Sequence, residues 1–392
     1  MFLEKINSLQ FSANSGTVDV MDKLGKQSQP GSRRRFLAGS ATGALTFPAV
    51  VRAQETINLR FQSTWPTKDL FHEFALDFAK KVTEISAGRV RLQMLPSGSI
   101  VKPLDVLEAV HRGQIDGGHG VCTYWVARHP AYGLFGSSPA VGLDSHTFLA
   151  WMEHGGGRRL YDELVHTTLR LNVQGFLYGP MGIQPLGWFK RRVAKAEDLR
   201  GLRFRTAGLA IDMIREMGMV PTRLWGQEIV DALERGQIDA AEYTNPTSDR
   251  ALGFPNAAKL CYLRSYHQGS EVFEVIINKR KFDSLPEDLQ RVFRYAAQAA
   301  SSEVHWKTID RYATDYQEMK SRMGVSFELT PDNILKAQLE AWRRVAQQRS
   351  SENRLFARVL ESQQMFARRV VAYQLESTVS QQMAYDFWYG KK

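Results

Sequence analysis

The amino-acid sequence predicts an α/β protein of two lobes, with mixed sheets flanked by helices and long helices at the C-terminal end. Three observations lead to this fold class. The chain has 392 residues, and a single hydrophobic core rarely organises more than roughly 250–300 residues. After the first 53 residues the chain opens in the order strand, helix, strand, which is typical of parallel sheets. The five-residue sequence RGQID occurs twice, at positions 112–116 and 235–239.

The opening strand–helix–strand unit follows from two periodicities. Apolar and polar residues alternate over residues 56–65, which predicts a half-buried strand. Apolar residues then recur at helical spacing over residues 71–85, and Gly88 supplies a C-terminal cap. Residues 89–98 predict the second strand. Because parallel strands need a crossover connection, usually a helix, this order predicts a parallel sheet.

Each copy of RGQID stands in the same local context. Apolar residues at helical spacing precede it, its glycine (Gly113 or Gly236) is expected to end that helix, and a short strand follows. Small residues after each copy would let a ligand approach the carboxyl end of the strand, where open parallel sheets bind ligands. The repeat predicts two similar lobes that face one cleft. Chance repetition of a common helix–glycine–strand connector is the alternative.

The remaining segments complete the predicted architecture. Glycines, prolines and aromatic residues over residues 176–191 predict a crossover between the lobes. Residues 199–208 and 271–282 predict strands, and the chain from Pro286 onward predicts helices.

These strands and crossovers divide the chain into two lobes. We expect the first lobe to comprise residues 54–180 and 268–305. The second lobe is expected to comprise residues 181–267 and 306–392, including the C-terminal helices. Each lobe would then be assembled from two separate parts of the chain.

The first 53 residues are predicted to be an export signal. Arginines at positions 33–35 precede a weakly apolar run over residues 36–51, and small residues precede a predicted cleavage site after Ala53. The order Ser, Arg, Arg, any residue, Phe, Leu resembles the twin-arginine export consensus, with an ordinary secretory signal as the alternative. The apolar run is shorter than the ~20 residues that span a bilayer, so we expect export to the periplasm and no permanent anchor.

Composition argues against a nucleic-acid-binding protein. The net charge is +10, of which residues 1–53 carry +4, which leaves +6 on the remainder. No block of Lys and Arg with interleaved aromatic residues occurs, so no nucleic-acid partner is expected, whereas a mildly positive field suits small anions. Cys122 and Cys261 are expected to be buried thiols, although one disulfide is left open for an exported protein.

Motifs of common enzyme classes do not occur in the sequence. The HGGG sequence at residues 154–157 has no G-x-S-x-G partner and is expected to cap a helix. His119, Cys122 and His129 lack a recognised zinc spacing. No H-E-x-x-H, phosphate-binding loop or dinucleotide-binding glycine motif occurs. The absence of these motifs argues against an enzyme without excluding one, and an exported hydrolase using His154 is a remote alternative.

Several further segments occur in a characteristic order. They are GVCTYWVARHPAYGLFGSSPAVGL, GPMGIQPLGWF, DLRGLRFRTAG, ALERGQIDAAEYTNPTSD, GFPNAAKLCYLRSYHQGSEVFEVIINK and SLPEDLQ. Together with the export signal, this series resembles the DctP family of solute-binding proteins, which serve tripartite ATP-independent periplasmic (TRAP) transporters. It is most similar to the branch that binds 2-oxo acids. The resemblance extends from Ile57 to the last helices.

The resemblance implies a type II-like periplasmic binding fold, with lobes that close on a small organic acid. It implies capture of a monocarboxylate, such as a 2-oxo or 2-hydroxy acid. The solute would then pass to the small and large membrane subunits of a permease driven by an ion gradient. A ligand-sensing partner of a membrane signalling system is the alternative with the same fold. Some relatives dimerise through C-terminal helices, so a homodimer is left open.

The resemblance also implies a carboxylate-binding arginine. It falls on Arg205, where a guanidinium would pair with a carboxylate through two parallel hydrogen bonds. Arg203 has the same strand parity and is the rival candidate, and either could be a solvated arginine because charged side chains are mostly exposed. Tyr124 and Trp125 match aromatic positions of the pocket, and Trp65 is expected to form the opposite wall.

In the 2-oxo-acid branch a metal ion lies beside the ligand. The matching positions are Gln184, Glu242, Tyr243 (through its backbone carbonyl) and Gln268, and Gln184 and Tyr243 are also expected to touch the ligand. Oxygen donors alone select a hard cation such as Na⁺ or Ca²⁺. Two positions depart from the family pattern: Tyr243 is usually Trp, and Gln268 is Glu in some members.

Charge arithmetic at these positions favours sodium. Glu242 and the ligand carboxylate contribute −2 and Arg205 contributes +1, so a monovalent cation closes the site at zero. Because buried net charge is costly, Na⁺, or no firmly held metal, is predicted over Ca²⁺.

Overall fold

The computed structural model describes residues 56–137 and 139–390, which form two mixed sheets with flanking helices. The strands are β1 (Ile57–Ser63), β2 (Val90–Leu95), β3 (Gly117–Gly120), β4 (Val173–Met181), β5 (Gly187–Phe189), β6 (Arg203–Arg205), β7 (Val220–Thr222), β8 (Ala240–Ala241), β9 (Leu260–Leu263), β10 (Glu271–Asn278) and β11 (Ser326–Leu329). The helices are α1 (Leu70–Ile85), α2 (Val106–Arg112), α3 (Tyr132–Gly136), α4 (Ser145–His154), α5 (Gly157–Asp162), α6 (Ala210–Glu216), α7 (Gln227–Glu234), α8 (Pro246–Leu252), α9 (Phe254–Ala257), α10 (Lys279–Asp283), α11 (Glu287–Arg322), α12 (Asp332–Glu352), α13 (Arg354–Ser377) and α14 (Gln381–Tyr389). The predicted α/β class is confirmed, and the predicted signal at residues 1–53 lies outside the described residues.

The first sheet has the strand order β2-β1-β3-β10-β4. β1 is parallel to β2 and β3, and α1 connects β1 to β2 as the sequence predicts. β10, which comes from much later in the chain, inserts antiparallel between β3 and β4. This late strand makes the sheet mixed and brings the start of β10 to the cleft side of the sheet.

The second sheet has the order β11-β9-β5-β8-β6-β7. β6 is parallel to β7 and β8, whereas β5 is antiparallel to β8 and β9. The carboxyl ends of β6 and β8 lie side by side, because Phe204 pairs with Ala240 and Arg205 with Ala241. This pairing places Glu242, which follows β8 and donates its backbone N–H to the Arg205 carbonyl (3.2 Å), beside the end of β6.

The two RGQID copies occupy equivalent positions in the two sheets. The glycine of each copy has a left-handed φ, 75° in the first and 67° in the second. In the first copy Asp116 accepts a hydrogen bond from the Arg60 backbone N–H on the adjacent parallel strand (2.8 Å). In the second, Asp239 accepts from the Arg203 N–H in the same way (2.9 Å). The repeat is therefore a structural unit used once per sheet.

The small residues after the first copy have a different purpose from the one predicted. A Cβ added at Gly117 would lie 2.2 Å from the Phe61 ring, and one at Gly118 would lie 2.4 Å from a Val106 methyl group. These contacts are core contacts of the first sheet. The glycines therefore permit close packing between strand and helix, and ligand access begins only beyond β3.

Long helices cover and connect the two sheets. α11 has 36 residues and packs against α1 and β4 beside the first sheet and against α8 beside the second. α12 packs against α6, and α13 packs against α4 and α5, which flank the first sheet. The predicted lobe boundaries stay a prediction, but α13 lies with the first sheet, whereas residues 306–392 were assigned to the second lobe.

Both cysteines, Cys122 and Cys261, are buried free thiols, as the sequence analysis predicts. Burial raises the pKa of each thiol well above its ordinary value. Among the described residues, no helix has both the length and the apolarity required to cross a bilayer.

Candidate functional site

A small cavity lies between the two sheets, at the ends of β3 and β8. Its volume is about 30 Å³, far below the ~300–1,000 Å³ typical of open ligand sites. Both RGQID copies lead into it, since the segments that follow β3 and β8 form two of its walls. The lining residues are Trp65, Phe71, Val121, Thr123, Tyr124, Met181, Gln184, Arg205, Ala207, Glu242, Tyr243, Thr244, Gln268 and Glu271.

Arg205, the last residue of β6, is buried at the cavity wall with 3% of its surface exposed. Its Nε donates to the Leu224 carbonyl (2.9 Å), and Nη1 donates to both the backbone carbonyl (2.9 Å) and the side chain (3.0 Å) of Glu242. The guanidinium also lies 5.6 Å from the Trp225 ring centre and 5.8 Å from that of Tyr243. Nη2 makes no hydrogen bond with the described residues, so it is the donor left for a ligand.

Arg203, the rival candidate, does not line the cavity. It is exposed, and its guanidinium binds both carboxylate oxygens of Asp239, at 3.0 and 2.7 Å. The hydrogen bonds to Asp239 raise the pKa of the guanidinium. Arg203 is therefore committed to the RGQID aspartate, and the structure places Arg205, of the two arginines, at the cavity.

Glu242 and Glu271 bring two buried carboxyl groups to the same cavity. Glu242 follows β8 and is fully buried, and Glu271 begins β10 with 4% of its surface exposed. Burial raises the pKa of each group to about 7; for Glu271 the charge of Glu242 adds to the effect, and for Glu242 the charge of Arg205 opposes it. Gln184 lies beside them and donates its Nε2 hydrogen bond to Glu271.

One amide oxygen and one carboxylate oxygen at this wall have no partner among the described residues. They are Oε1 of Gln184 and Oε2 of Glu242, both on residues that are almost completely buried. An unpaired buried acceptor costs the full desolvation penalty of the group, about 1–3 kcal/mol. Such atoms at a cavity indicate a ligand or ion that supplies the missing partner.

The aromatic predictions divide into two outcomes. Trp65 and Tyr124 line the cavity, and their ring centres are 6.1 Å apart. Trp125 lies in the core of the first lobe, where its indole N–H donates to Glu274 (2.6 Å). The structure does not bring Trp125 to the cavity, because the helical turn over Cys122–Trp125 points successive side chains in different directions.

Contacts between the two lobes are made directly at the edge of the cavity. Asp69, the N-cap of α1, accepts hydrogen bonds from the Tyr243 hydroxyl (2.8 Å) and the Ser248 hydroxyl (2.9 Å). It also accepts from the backbone N–H of Phe71 at the start of α1. Burial raises the pKa of Asp69, and its three hydrogen bonds oppose that shift. The hydroxyl that distinguishes Tyr243 from a tryptophan is thus used to join the lobes.

A family comparison decides the identity of this architecture. The model of the DctP family, described as bacterial extracellular solute-binding protein, family 7, matches residues 61–352. The chain belongs to the DctP family. DctP proteins are solute-binding proteins and not enzymes, so the hydrolase alternative falls. His154 accordingly is an exposed residue at the end of α4, next to the left-handed Gly156 that precedes α5.

Individual relatives support the same placement. A monocarboxylate 2-oxoacid-binding periplasmic protein of Nostoc sp. strain PCC 7120 is 27% identical over 355 residues, covering 87% of this chain and 95% of the relative. A TRAP solute-binding protein of Colwellia psychrerythraea, solved with calcium and pyruvate, superimposes with a TM-score of 0.78 at 25% identity, covering 86% of this chain and 100% of that one. One from Pseudoalteromonas atlantica T6c, solved with sodium and pyruvate, gives 0.77 at 25% identity, covering 84% and 98%. The two-lobed binding-protein fold is thereby confirmed.

The donor set at the cavity of this DctP protein fits a hard cation. Gln184, Glu242, Tyr243 and Gln268 all line the cavity and offer amide, carboxylate and carbonyl oxygens. No cluster of three or more His, Cys, Asp or Glu side chains with metal-binding geometry occurs within the described residues. A cation here would therefore depend on amide and backbone oxygens as well as on carboxylates.

Sequence reasoning missed two residues that the structure brings to this site. Glu271 is the first residue of a strongly β-prone run, and the strand signal of that run concealed its carboxylate. Trp225 lies in a loop, faces the Tyr124 ring (5.1 Å between centres) and covers the Arg205 guanidinium. An acidic residue at the start of a β-prone run was the local sign of Glu271, but nothing local placed it at the cavity; no sign was available for Trp225.

In the metal-free protein, Glu242 and Glu271 are expected to lower the free energy of unfolding as the pH rises. Their folded-state pKa values of about 7 lie above the ordinary value of 4.5, so the folded state holds more protons between these values. The stabilisation is full below about pH 4.5 and is lost as the pH rises through about 7. Denaturant unfolding in chelator at several pH values measures this slope. A Glu271→Gln variant with the wild-type slope would contradict the prediction.

Proposed function

We propose that this chain is the periplasmic solute receptor of a TRAP transporter, specific for a small monocarboxylate such as a 2-oxo or 2-hydroxy acid. The observation that carries the proposal is the buried Arg205 guanidinium, with one free donor, in a small cavity between the lobes. The small volume of the cavity, about 30 Å³, limits the solute to few carbon atoms. The solute would be delivered to the small and large membrane subunits of a permease driven by an ion gradient.

Capture would begin at Arg205. Its Nη2 would bind the solute carboxylate, and the aromatic side chains of Trp65 and Tyr124 would cover the apolar part of the solute. Closure then brings Asp69 against Tyr243. Hydrogen bonds that form only after closure would stabilise the closed, solute-bound form relative to the open form.

We further propose that a hard cation accompanies the solute. Gln184 Oε1 and Glu242 Oε2 are the free acceptors that would hold it, with Tyr243 (backbone carbonyl) and Gln268 as the other candidates. When bound, the ion would neutralise carboxylate charge at this wall. Arg205 Nη1 now donates to Glu242. If the Glu242 carboxylate turned toward a cation, Nη1 could donate to the solute instead.

The test of this function is a thermal-shift and calorimetric screen with the purified chain. Small 2-oxo and 2-hydroxy monocarboxylates, with Na⁺ or Ca²⁺ present, are expected to raise the melting temperature and to bind with one-to-one stoichiometry. Dicarboxylates, neutral sugars and cationic amino acids serve as controls and are expected to bind weakly. A protein that responds to a neutral sugar and to no carboxylate would overturn the proposal.

Export to the periplasm by the twin-arginine route is part of the same proposal. The arginines at positions 33–35 and the apolar run after them support it. Fractionation of cells with and without a functional twin-arginine system tests it. Periplasmic protein in both strains would assign export to the general secretory route.

A homodimer through the C-terminal helices is proposed from their exposed apolar side chains. α14 has no buried residue within the described chain, and Met383, Phe387 and Trp388 are each more than 70% exposed. Apolar surface of this kind is rare on monomers. We expect light scattering to give a dimer for the full chain and a monomer for a chain that ends after Ser377. A monomer in both cases would contradict the prediction.

A further inference from the structure

Glu271 is a second acid at the cavity that the family-based residue assignment does not include. It begins β10, lines the cavity, and has 4% of its surface exposed. Its backbone is held by Met181 across the strand pair and by the hydroxyl of Ser145. The carboxylate is therefore fixed in place at the wall shared with Gln184 and Glu242.

Glu271 determines which end of the Gln184 amide faces the free space. The Gln184 Nε2 donates to the Glu271 carboxylate, so Oε1 is left at the cavity wall without a partner among the described residues. Glu242 Oε2 is unpaired in the same way. Two buried oxygen acceptors thus point to a cation, and the orientation of one of them depends on Glu271.

The charge balance of the cavity also depends on Glu271. Among the described lining residues, Arg205 is the only cationic side chain, and Glu242 and Glu271 are the acidic ones. With both acids ionised the wall carries −1, and a bound monocarboxylate brings the total to −2. Sodium would leave −1 inside a buried site, whereas a divalent cation closes it at zero, which burial favours.

We infer that Glu271 makes solute binding by this protein depend on a divalent cation of calcium type. The inference rests on the proposed function and revises the sodium preference, which counted only Glu242 and Arg205. Calcium accepts irregular sets of carboxylate, amide and carbonyl oxygens, whereas magnesium demands near-octahedral geometry and retains water. Glu271 acts here as a positioning and charge-balancing residue, through Gln184 and through its own carboxylate.

The experiment titrates Ca²⁺ and then pyruvate, as probe, into chelator-treated protein in sodium-free buffer. Wild-type protein is expected to bind Ca²⁺ and to bind pyruvate only with Ca²⁺ present, and NaCl should not replace it. Glu271→Gln keeps an acceptor for Gln184 but removes one charge. We expect it to lower Ca²⁺ affinity by about 10–100-fold and to let Na⁺ support pyruvate binding.

Two further variants separate this role from general damage to the fold. Glu271→Asp keeps the charge and is expected to keep the calcium requirement. Glu274→Gln removes a buried acid from the same strand, where Trp125 and Tyr161 hold it away from the cavity, and is expected to leave the cation preference unchanged. Melting curves confirm that each variant is folded.

The outcomes are distinct for the two proposals. Pyruvate binding by wild type that is equally strong in Na⁺ and Ca²⁺, or an unchanged calcium affinity in Glu271→Gln, overturns the role of Glu271. If no carboxylate binds under any cation while Glu271→Gln still weakens Ca²⁺ binding, the proposed function fails and the cation role stands.

Discussion

Replacing Arg205 with alanine is expected to abolish carboxylate binding. The guanidinium is the only cationic group among the described residues that line the cavity, and its Nη2 is the donor left for a ligand. Truncating one partner of a buried, hydrogen-bonded charge pair costs about 2–5 kcal/mol or more, which corresponds to about a 30-fold to several-thousand-fold loss of affinity. Isothermal titration with the carboxylate that gives the largest thermal shift measures this loss.

The same substitution is expected to lower the stability of the protein. Arg205 Nη1 binds the carboxylate of Glu242, which is fully buried. Removing one partner of a buried pair costs about 3–5 kcal/mol when the remaining charge is left uncompensated. The loss should be smaller at low pH, where Glu242 can take up a proton because its pKa is raised to about 7.

Arg203→Ala is the matched control for Arg205→Ala. It lies two residues earlier in the same strand, but its guanidinium is exposed and binds Asp239. Affinity for the carboxylate should remain within a few-fold of wild type. Arg205→Lys keeps the charge and loses the planar donor set, so it should recover only part of the affinity. Full affinity in Arg205→Ala would refute the assignment of the ligand clamp.

Local sequence patterns predicted much of the architecture, because helices, strands and their ends are determined largely by neighbouring residues. The strand–helix–strand start and the glycine stops depend on periodicity and backbone conformation over a few residues. The RGQID aspartates illustrate a stronger signal: Asp116 and Asp239 each bind the backbone of a neighbouring parallel strand. An aspartate that makes the same hydrogen bond to an adjacent strand in both sheets leaves a repeat that the sequence alone reveals.

The choice between Arg203 and Arg205 lay beyond the sequence. Both side chains leave the same face of β6. Asp239, on the neighbouring segment, binds the Arg203 guanidinium, so Arg203 is unavailable to a ligand. The place of Trp125 in the core was beyond the sequence too, since its hydrogen-bond partner Glu274 is distant along the chain. Glu271 reaches the cavity because β10 crosses back into the first sheet, a long-range pairing that no local pattern records.

The departure of Tyr243 from the family pattern has a structural consequence that extends beyond the pocket wall. A tyrosine places a hydroxyl where it can donate to Asp69 at the start of α1, and Ser248 donates to the same carboxylate. Both bonds cross from the second sheet to the first. Under the proposed function these bonds would form only in the closed state and would therefore favour the retention of solute.

Asp69→Ala is therefore expected to weaken solute binding mainly by accelerating release. Hydrogen bonds to a charged group contribute about 1.5–3 kcal/mol each, and two are lost, so the dissociation rate should rise by about 100-fold or more. Stopped-flow displacement measures the rate. The variant also loses the N-cap of α1, which costs about 1 kcal/mol of stability and will appear in melting curves.

Tyr243→Phe and Ser248→Ala separate closure from capping. Each removes one hydrogen bond between the lobes and leaves the bond from Phe71 N–H to Asp69 intact. Each should accelerate release by a smaller factor than Asp69→Ala, with little change in association rate, because Arg205 still receives the solute in the open state. If Asp69→Ala lowers the melting temperature but leaves the dissociation rate unchanged, Asp69 serves only as a helix cap, and closure depends on the solute alone.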